Sequence, residues 1–281
     1  MKLFYCKDIT PNGFCTLDAE ESRHAVRVLR LREGDELHVT DGKGNLYTCR
    51  IITADDRAAV IRNEELVIRN SQDASVSIPN SSLIIPNLHL AVAPTKNPSR
   101  MEWLVEKAVE IGVGEITLLN CDHSERSFLK TDRLEKLAVS AMKQSLHTLL
   151  PEIHPATSLR EVIRNYELEI RNSQDASAPI PNSSFLIPHS TQKFIAHCEA
   201  DKPRVPLATA LQPGHDAVVL IGPEGDFSEE EIALALDCGF QPVSLGPSRL
   251  RTETAALYAV TAFNLINDSL TPSPAPREEG E

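Results

Sequence analysis

Val218-Val219-Leu220-Ile221-Gly222-Pro223-Glu224-Gly225-Asp226-Phe227-Ser228 is the stretch on which the fold turns. Ala217 to Ile221 is a short, uninterrupted apolar run, the pattern of a buried strand. Gly222 to Gly225 breaks it, and Ser228-x-x-Glu231 is a capping box for a helix that runs to Cys238 and is stopped by Gly239. A buried strand leading through a glycine-proline turn into a capped helix is how α/β folds present backbone N–H and C=O groups to a ligand. The turn is not a known phosphate loop. A Walker loop needs a lysine and a hydroxyl that are absent here, and Gly42-x-Gly44 is followed by Tyr47 where a dinucleotide fingerprint wants glycine.

The same pattern extends outward. Leu88 to Ala93 is apolar, and Asn97-Pro98-Ser99 opens a helix whose apolar face is Met101, Leu104, Val105, Ala108 and Val109, ended by Gly112. Glu115 to Leu119, Phe194 to His197 and Pro242 to Leu245 read as strands, and Thr131 to Leu149, halted by Pro151, and Thr252 to Ile266 as helices. This alternation predicts an α/β domain with a largely parallel sheet over residues 88–267. Residues 1–63 read differently: Leu3-Phe4-Tyr5, Glu36 to Thr40 and Leu46 to Ile52, with a turn at Asp41 to Asn45, predict a small barrel or sheet.

The chain of 281 residues is long enough for these two domains, and 41% hydrophobic with 24% charged residues suits a globular protein. It has no run of roughly 18 apolar residues for a membrane helix, and Met1 to Asp8 lacks a signal-peptide core, so a cytosolic protein without membrane partners is expected. Cys6, Cys15, Cys49, Cys121, Cys198 and Cys238 are scattered, with no zinc spacing, and read as reduced thiols with no metal site. A formal charge of −12 argues against nonspecific coating of nucleic acid but allows a local basic face. Arg23, Arg27, Arg30 and Arg32 fall within ten residues, and Arg126, Lys130, Arg133 and Lys136 recur at helical spacing. Taken by position alone, both groups also fit an ordinary solvated surface.

One repeat interrupts the pattern. Val60-Ile61-Arg62-Asn63-Glu64-Glu65-Leu66-Val67-Ile68-Arg69-Asn70-Ser71-Gln72-Asp73-Ala74-Ser75 returns as Val162-Ile163-Arg164-Asn165-Tyr166-Glu167-Leu168-Glu169-Ile170-Arg171-Asn172-Ser173-Gln174-Asp175-Ala176-Ser177, and the likeness continues through Ile78 to Ser82 and Ile180 to Ser184. The copies are rich in Ser, Asn and Pro without helical or strand periodicity. They read as passive surface insertions at 64–87 and 162–189, and residues 268–281 as a disordered tail.

A second loop has the logic of the first. Val243-Ser244-Leu245-Gly246-Pro247-Ser248-Arg249-Leu250-Arg251-Thr252-Glu253-Thr254 joins a strand to a helix and crowds Arg, Thr, Glu and Thr at the helix start. Thr252 reads as the cap and Glu253 as a complement to the helix dipole. Arg251 is electrostatically misplaced there, which points to an anionic partner from protein, cofactor or RNA.

Ile221-Gly222-Pro223-Glu224-Gly225, followed by Leu245-Gly246-Pro247-x-x-Leu250-Arg251-Thr252-Glu253-Thr254-Ala255, closely resembles the paired signature of the 16S rRNA uracil-N3 methyltransferases. The resemblance covers most of the chain. His24 to Arg30 with Gly34-Asp35 is similar to that family's PUA-like RNA-binding module. Lys96 to Gly112, Ser124 to Ser127 and Gln144 to Ile153 resemble the first half of its SPOUT methyltransferase domain. Asp226 departs from the pattern where many members have glycine, and His147 where many have arginine.

The resemblance implies a small N-terminal PUA-like β-barrel and a parallel SPOUT sheet with a C-terminal trefoil knot that holds S-adenosyl-L-methionine. Residue patterns alone would not suggest the knot, because knots are rare. The implied cofactor residues are His197, Leu220, Gly222, Pro223, Glu224, Gly225, Leu245, Gly246, Leu250, Arg251, Thr252 and Thr254. Arg23, Arg27, Arg30 and Arg126 are the implied RNA contacts, 16S rRNA in the small ribosomal subunit is the implied substrate, and a homodimer the implied assembly. Methyl transfer to a uracil nitrogen needs positioning and removal of the N3 proton. Arg251 is a candidate to stabilise the uracil anion, and Glu253 either to act as base or to hold Arg251. The rival readings are a SPOUT methyltransferase for another ribosomal or transfer RNA site, and a noncatalytic RNA-binding or ribosome-assembly protein.

Overall fold

The computed structural model describes residues 2–9, 13–68, 86–125, 129–174, 191–199 and 203–268. Arg126, the later parts of both repeat copies and residues 269–281 lie outside them. The chain divides into two compact units. One comprises Met1–Ser82, Met101–Gly114 and Lys130–Ile153, and the other Leu83–Arg100, Glu115–Leu129 and His154–Glu281.

The first unit is built on β1 (Leu3–Tyr5), β2 (Phe14–Thr16), α1 (Ala19–Arg23), β3 (Glu36–Thr40), β4 (Leu46–Thr53) and β5 (Val60–Ile68). A single π-helical turn, His24–Val28, follows α1. The sheet order is β1-β3-β4-β5-β2, with β1 parallel to β3 and the other pairs antiparallel. Alternate side chains, among them Leu37, Val39, Cys49, Ile51 and Ile61, fill one core with Phe4, Leu17 and Ala25. Cys6 and Cys15 form a disulfide. This corrects the expectation that every cysteine is reduced: nothing in their spacing marks the pair, and tertiary packing brings them together. The bond links Cys6, which follows β1 at one edge of the sheet, to Cys15 in β2 at the other. Cys49 remains a free thiol whose pKa burial, followed by the nearby Glu64 charge, pushes up to about 12.

The chain continues through β6 (Leu88–Val92), α2 (Pro98–Ile111), β7 (Glu115–Asn120), α3 (Thr131–Ser145), β8 (Glu152–Ser158) and α4 (Leu159–Gln174). It ends with β9 (Gln192–Ala196), β10 (Val205–Pro206), α5 (Leu207–Ala210), β11 (Ala217–Ile221), α6 (Glu229–Asp237), β12 (Gln241–Ser244) and α7 (Thr252–Asn267). α2 buries the five residues its spacing selected, Met101, Leu104, Val105, Ala108 and Val109. α3 stops four residues short of the expected Leu149. Leu146 turns left-handed at φ 61, and the backbone of residues 148–150 bonds to the β3–β4 turn, through Gly44 N to Thr148 O at 2.9 Å and Leu150 N to Gly42 O at 2.8 Å. Those partners compete with the helix for the same backbone groups.

The second unit carries a seven-stranded sheet ordered β10-β12-β9-β11-β6-β7-β8. Every pair from β10 to β7 is parallel, so these strands end at one edge. Ile221 stands opposite both Val92 and Ala196, and Ala196 opposite Val243. α7 returns from β12 to pack on β6 and β11.

The described start of each repeat copy adopts a different structure, which corrects the reading of those residues as lacking strand or helical period. The first copy opens as β5, in which alternate residues Ile61 and Asn63 are buried and which pairs with β4 and β2. The second lies in α4, where Val162, Ile163 and Tyr166 share the inward face at helical spacing. Nearly the same residues therefore serve either period, and the neighbours choose. Tyr166, where the first copy has Glu64, packs edge-on to Phe240 at 6.3 Å and bonds to His89.

Candidate functional site

Four parallel strands deliver their C-terminal ends side by side at one edge of the second unit. After β6 come Ala93 to Asn97, after β9 His197, after β11 the Gly222-Pro223-Glu224-Gly225 turn, and after β12 Leu245-Gly246. Strand ends in open α/β sheets are where ligands bind, because backbone donors and acceptors there have no ladder partner.

The two glycine-proline bends touch. Thr252 Oγ1 donates to the carbonyl of Gly222 at 3.2 Å, and both residues are buried. Thr252 is therefore not the cap of α7. Arg251 holds that position in extended conformation, φ −71 and ψ 155, without a side-chain bond to the helix. The hydroxyl stabilises more by satisfying a buried carbonyl than by meeting an N–H that solvent can reach.

Gly246 has φ +101 and open space where a Cβ would stand, so a side chain there is strained and a ligand can approach the backbone. Gly222 has no such room: a Cβ would stand 3.1 Å from the Phe227 ring. Gly225 would press His123, whose Nδ1 donates to the carbonyls of Gly225 at 3.2 Å and Asp226 at 3.1 Å. Asp226 sits at φ 64, a left-handed position that glycine or Asp tolerates, which accounts for its departure from the expected glycine. Its carboxylate accepts from Cys198 N at 2.7 Å and so ties the turn to the segment after β9. The Ser228–Glu231 capping box is present, and Ser228 Oγ also donates to Asp122 Oδ2 at 2.7 Å.

Glu253 is a buried acid at this edge, 6% exposed. Arg100 Nη1, from the first turn of α2, approaches its Oε1 at 3.6 Å, while its Oε2 has no hydrogen-bond partner among the described residues. The cation beside Glu253 is therefore Arg100 and not Arg251, whose side chain is exposed. Sequence reasoning missed Arg100. The rule that flags Arg251, a cation at a helix start, applies equally to Arg100.

The remaining expected residues are dispersed. His197 is buried, and its carbonyl accepts from Arg204 Nη1 at 2.6 Å. Leu220 lies within β11 and Pro223 is buried, while Glu224 and Thr254 are exposed and Leu250 is half-buried. Glu224 Oε1 accepts from Lys96 N at 3.1 Å, joining the β6 and β11 ends. Arg23, Arg27 and Arg30 are exposed in the first unit; Arg27 pairs with Asp56, and Arg30, left-handed at φ 59, lines a cleft with Val26, Leu31, Arg32, Glu33 and Ala54. His147 donates from Nε2 to Glu110 O at 3.2 Å. Among the described residues, no group of three or more His, Cys, Asp or Glu is placed to hold a metal, and no helix is long and apolar enough to cross a membrane.

Fold and site together define an α/β protein whose two signature loops meet at the parallel strand ends, with an N-terminal β-module. Residues 84–264 match the RNA methyltransferase domain and residues 17–62 the RNA methyltransferase PUA domain, and the chain belongs to this RNA methyltransferase family. It is similar to a "probable rRNA-methyltransferase" of Porphyromonas gingivalis, at 36% identity and TM-score 0.77, covering 96% of this chain and 100% of that one. A Legionella pneumophila protein solved with its bound cofactor SAM is 26% identical, with TM-score 0.66, covering 94% and 97%. The ribosomal RNA small subunit methyltransferase E of Buchnera aphidicola (subsp. Acyrthosiphon pisum) is 25% identical over 94% of this chain and 93% of its own.

Proposed function

We propose that this RNA methyltransferase transfers a methyl group from S-adenosyl-L-methionine to N3 of one uridine in 16S rRNA of the small ribosomal subunit. The observation that carries the reading is the Thr252–Gly222 bond, which sets the two signature loops against each other beside a buried acid with one oxygen unpartnered among the described residues. The residues fit such a ligand pair. Gly246 leaves its backbone open, and an unpaired buried carboxylate oxygen is costly unless a donor arrives.

The loops Gly222 to Gly225 and Leu245 to Thr254, with Leu220 and His197, would hold the cofactor. Bound there, it supplies a sulfonium methyl: the N3–H electron pair becomes the N–CH3 bond, the C–S pair stays on sulfur, and the proton leaves to a base. Glu253 Oε2 takes that proton. Arg251, exposed at the head of α7, faces the negative charge that develops on the uracil. Holding both reactants at one edge provides most of the rate.

The reading extends to architecture. Residues 1–63 form the RNA-binding module, in which Arg23, Arg27 and Arg30 contact RNA together with Arg126, and residues 88–267 form the SPOUT domain. β12 follows β11 in sequence yet lies beyond β9, and α7 comes back to β6 and β11, which supports a threaded C-terminal knot. Tyr258 and Leu265 expose apolar surface on one stripe of α7, which supports a homodimer seated on that helix.

Isothermal titration with S-adenosylmethionine, and mass-spectrometric mapping of rRNA from cells with and without the gene, test the proposal. Binding together with loss of one N3-methyluridine from 16S rRNA is expected. Absence of binding, or loss of a methyl from another RNA, overturns it.

A further inference from the structure

Reading Glu253 as the proton acceptor raises a question of aim. A buried carboxylate has two equivalent oxygens and a rotatable stem, and general-base transfer requires one oxygen within hydrogen-bond reach of the proton it takes. Oε1 faces Arg100 at 3.6 Å and Oε2 has no partner among the described residues. The asymmetry is imposed from outside α7.

We infer that Arg100 is the positioning residue of this site: it engages Glu253 by one oxygen and leaves the other aimed at the substrate's proton. The inference rests on the reading of Glu253 given above.

Arg100 is delivered by a braced segment. Thr95 Oγ1 donates to Asn97 O at 2.8 Å, Ser99 N donates to Asn97 Oδ1 at 3.0 Å, and Arg100 N donates to Asn97 O at 3.1 Å. Lys96 anchors the same segment to the cofactor turn through its N–H to Glu224 at 3.1 Å, and its Nζ lies 2.7 Å from Glu125. The segment that leads into α2 is therefore tied to the Gly222–Gly225 turn.

The pair joins an exposed cation to a buried acid. Arg100's side chain is 40% exposed, and half-exposed ion pairs contribute little to folding. The buried acid is what gives the pair its importance, because a carboxylate removed from water needs a cation beside it. A guanidinium beside Oε1 meets that need and leaves Oε2, buried and without a hydrogen-bond partner among the described residues, to accept from another donor.

The test uses the full-length protein with Arg100→Ala, Arg100→Lys, Glu253→Gln and the double variant Arg100→Ala/Glu253→Gln. In Arg100→Ala, kcat on 16S rRNA is expected to fall about 10²-fold, the cost of misplacing a catalytic group by about 1 Å. KM for RNA and the Kd for S-adenosylmethionine by titration should stay within about threefold, far below a binding loss. Arg100→Lys keeps the charge and should recover at least roughly tenfold of the lost kcat.

Glu253→Gln alone should lose roughly 10²- to 10⁴-fold, and adding Arg100→Ala should cost nothing more, since the two act as a unit. In cofactor-free protein, the Glu253 Cδ carbon resonance, assigned by its disappearance in Glu253→Gln, should move in Arg100→Ala and return towards its original position in Arg100→Lys. Unchanged kcat, a raised Kd at constant kcat, an immobile resonance or additive losses in the double variant would each overturn the role of Arg100. Full turnover in Glu253→Gln would instead remove the proton-acceptor reading, so the two failures are distinguishable.

Discussion

Thr252 and Gly222 are joined by a side-chain to backbone hydrogen bond of 3.2 Å that couples the start of α7 to the turn after β11. Thr252→Val keeps the shape, removes the donor and strands a buried carbonyl, at a cost of about 1–3 kcal/mol. Chemical denaturation should show that loss, and titration should show weaker S-adenosylmethionine binding, whereas Thr252→Ser restores both. Native affinity in Thr252→Val would mean that the bends hold together without this bond.

Arg251 is exposed and does not serve as Glu253's ion partner. Arg251→Ala should therefore lose turnover by roughly 10²-fold or more while cofactor affinity changes far less. Single-turnover methylation alongside calorimetry separates the two. Equal turnover would take Arg251 out of the chemistry.

Gly246 occupies φ +101 in open space, so Gly246→Ala tests backbone strain without a steric clash. The expected loss is about 1–3 kcal/mol in unfolding free energy, together with reduced cofactor binding. Gly34, also left-handed at φ +91 with nothing near its Cβ but located in the first unit, is the control: Gly34→Ala should cost similar stability and leave binding intact.

His89 links the Tyr166 hydroxyl through Nδ1 and Thr117 Oγ1, at 2.7 Å, through Nε2. Burial, against the opposing pull of Glu115, lowers its pKa from 6.5 to about 4. Burial alone would raise the Glu115 carboxyl, but the hydrogen bond from His154 and the charges of both histidines hold it below its ordinary value. The unfolded chain thus takes up a proton at His89 near pH 6.5 that the folded chain refuses until about pH 4. Stability should fall by up to about 3 kcal/mol across that window as pH drops. Glu115 adds to the fall at the acid end, because a lowered carboxyl loses its contribution as pH falls through its folded pKa. Denaturant midpoints for wild type and His89→Gln from pH 8 to 4 measure it, and parallel curves would show that His89 is not the source.

Lys143 forms an ion pair with Glu21, which is 3% exposed and whose carboxyl is raised by burial despite the lysine. Lys143→Ala leaves that acid buried without its cation, and about 3–5 kcal/mol of destabilisation is expected. Lys143→Ala/Glu21→Gln should recover part of it. Thermal unfolding of the single and double variants decides.

The sequence by itself determined the short-range architecture. Alternating apolar runs and capped helices located β6, β7, β11, β12, α2, α6 and α7 within a residue or two. The Ser228–Glu231 box and the buried face of α2 formed as read, because bonds between residues three or four apart depend only on local spacing. The two signature loops were legible for the same reason. Only the tertiary structure decided that one repeat is strand in β5 and helix in α4, that Cys6 meets Cys15, and that α3 yields at Ser145 to the β3–β4 turn. It alone turned Thr252 away from its helix to Gly222 and set Arg100 beside Glu253. Those outcomes depend on which distant groups compete for a buried donor, acceptor or charge, and no local pattern of residues encodes that competition.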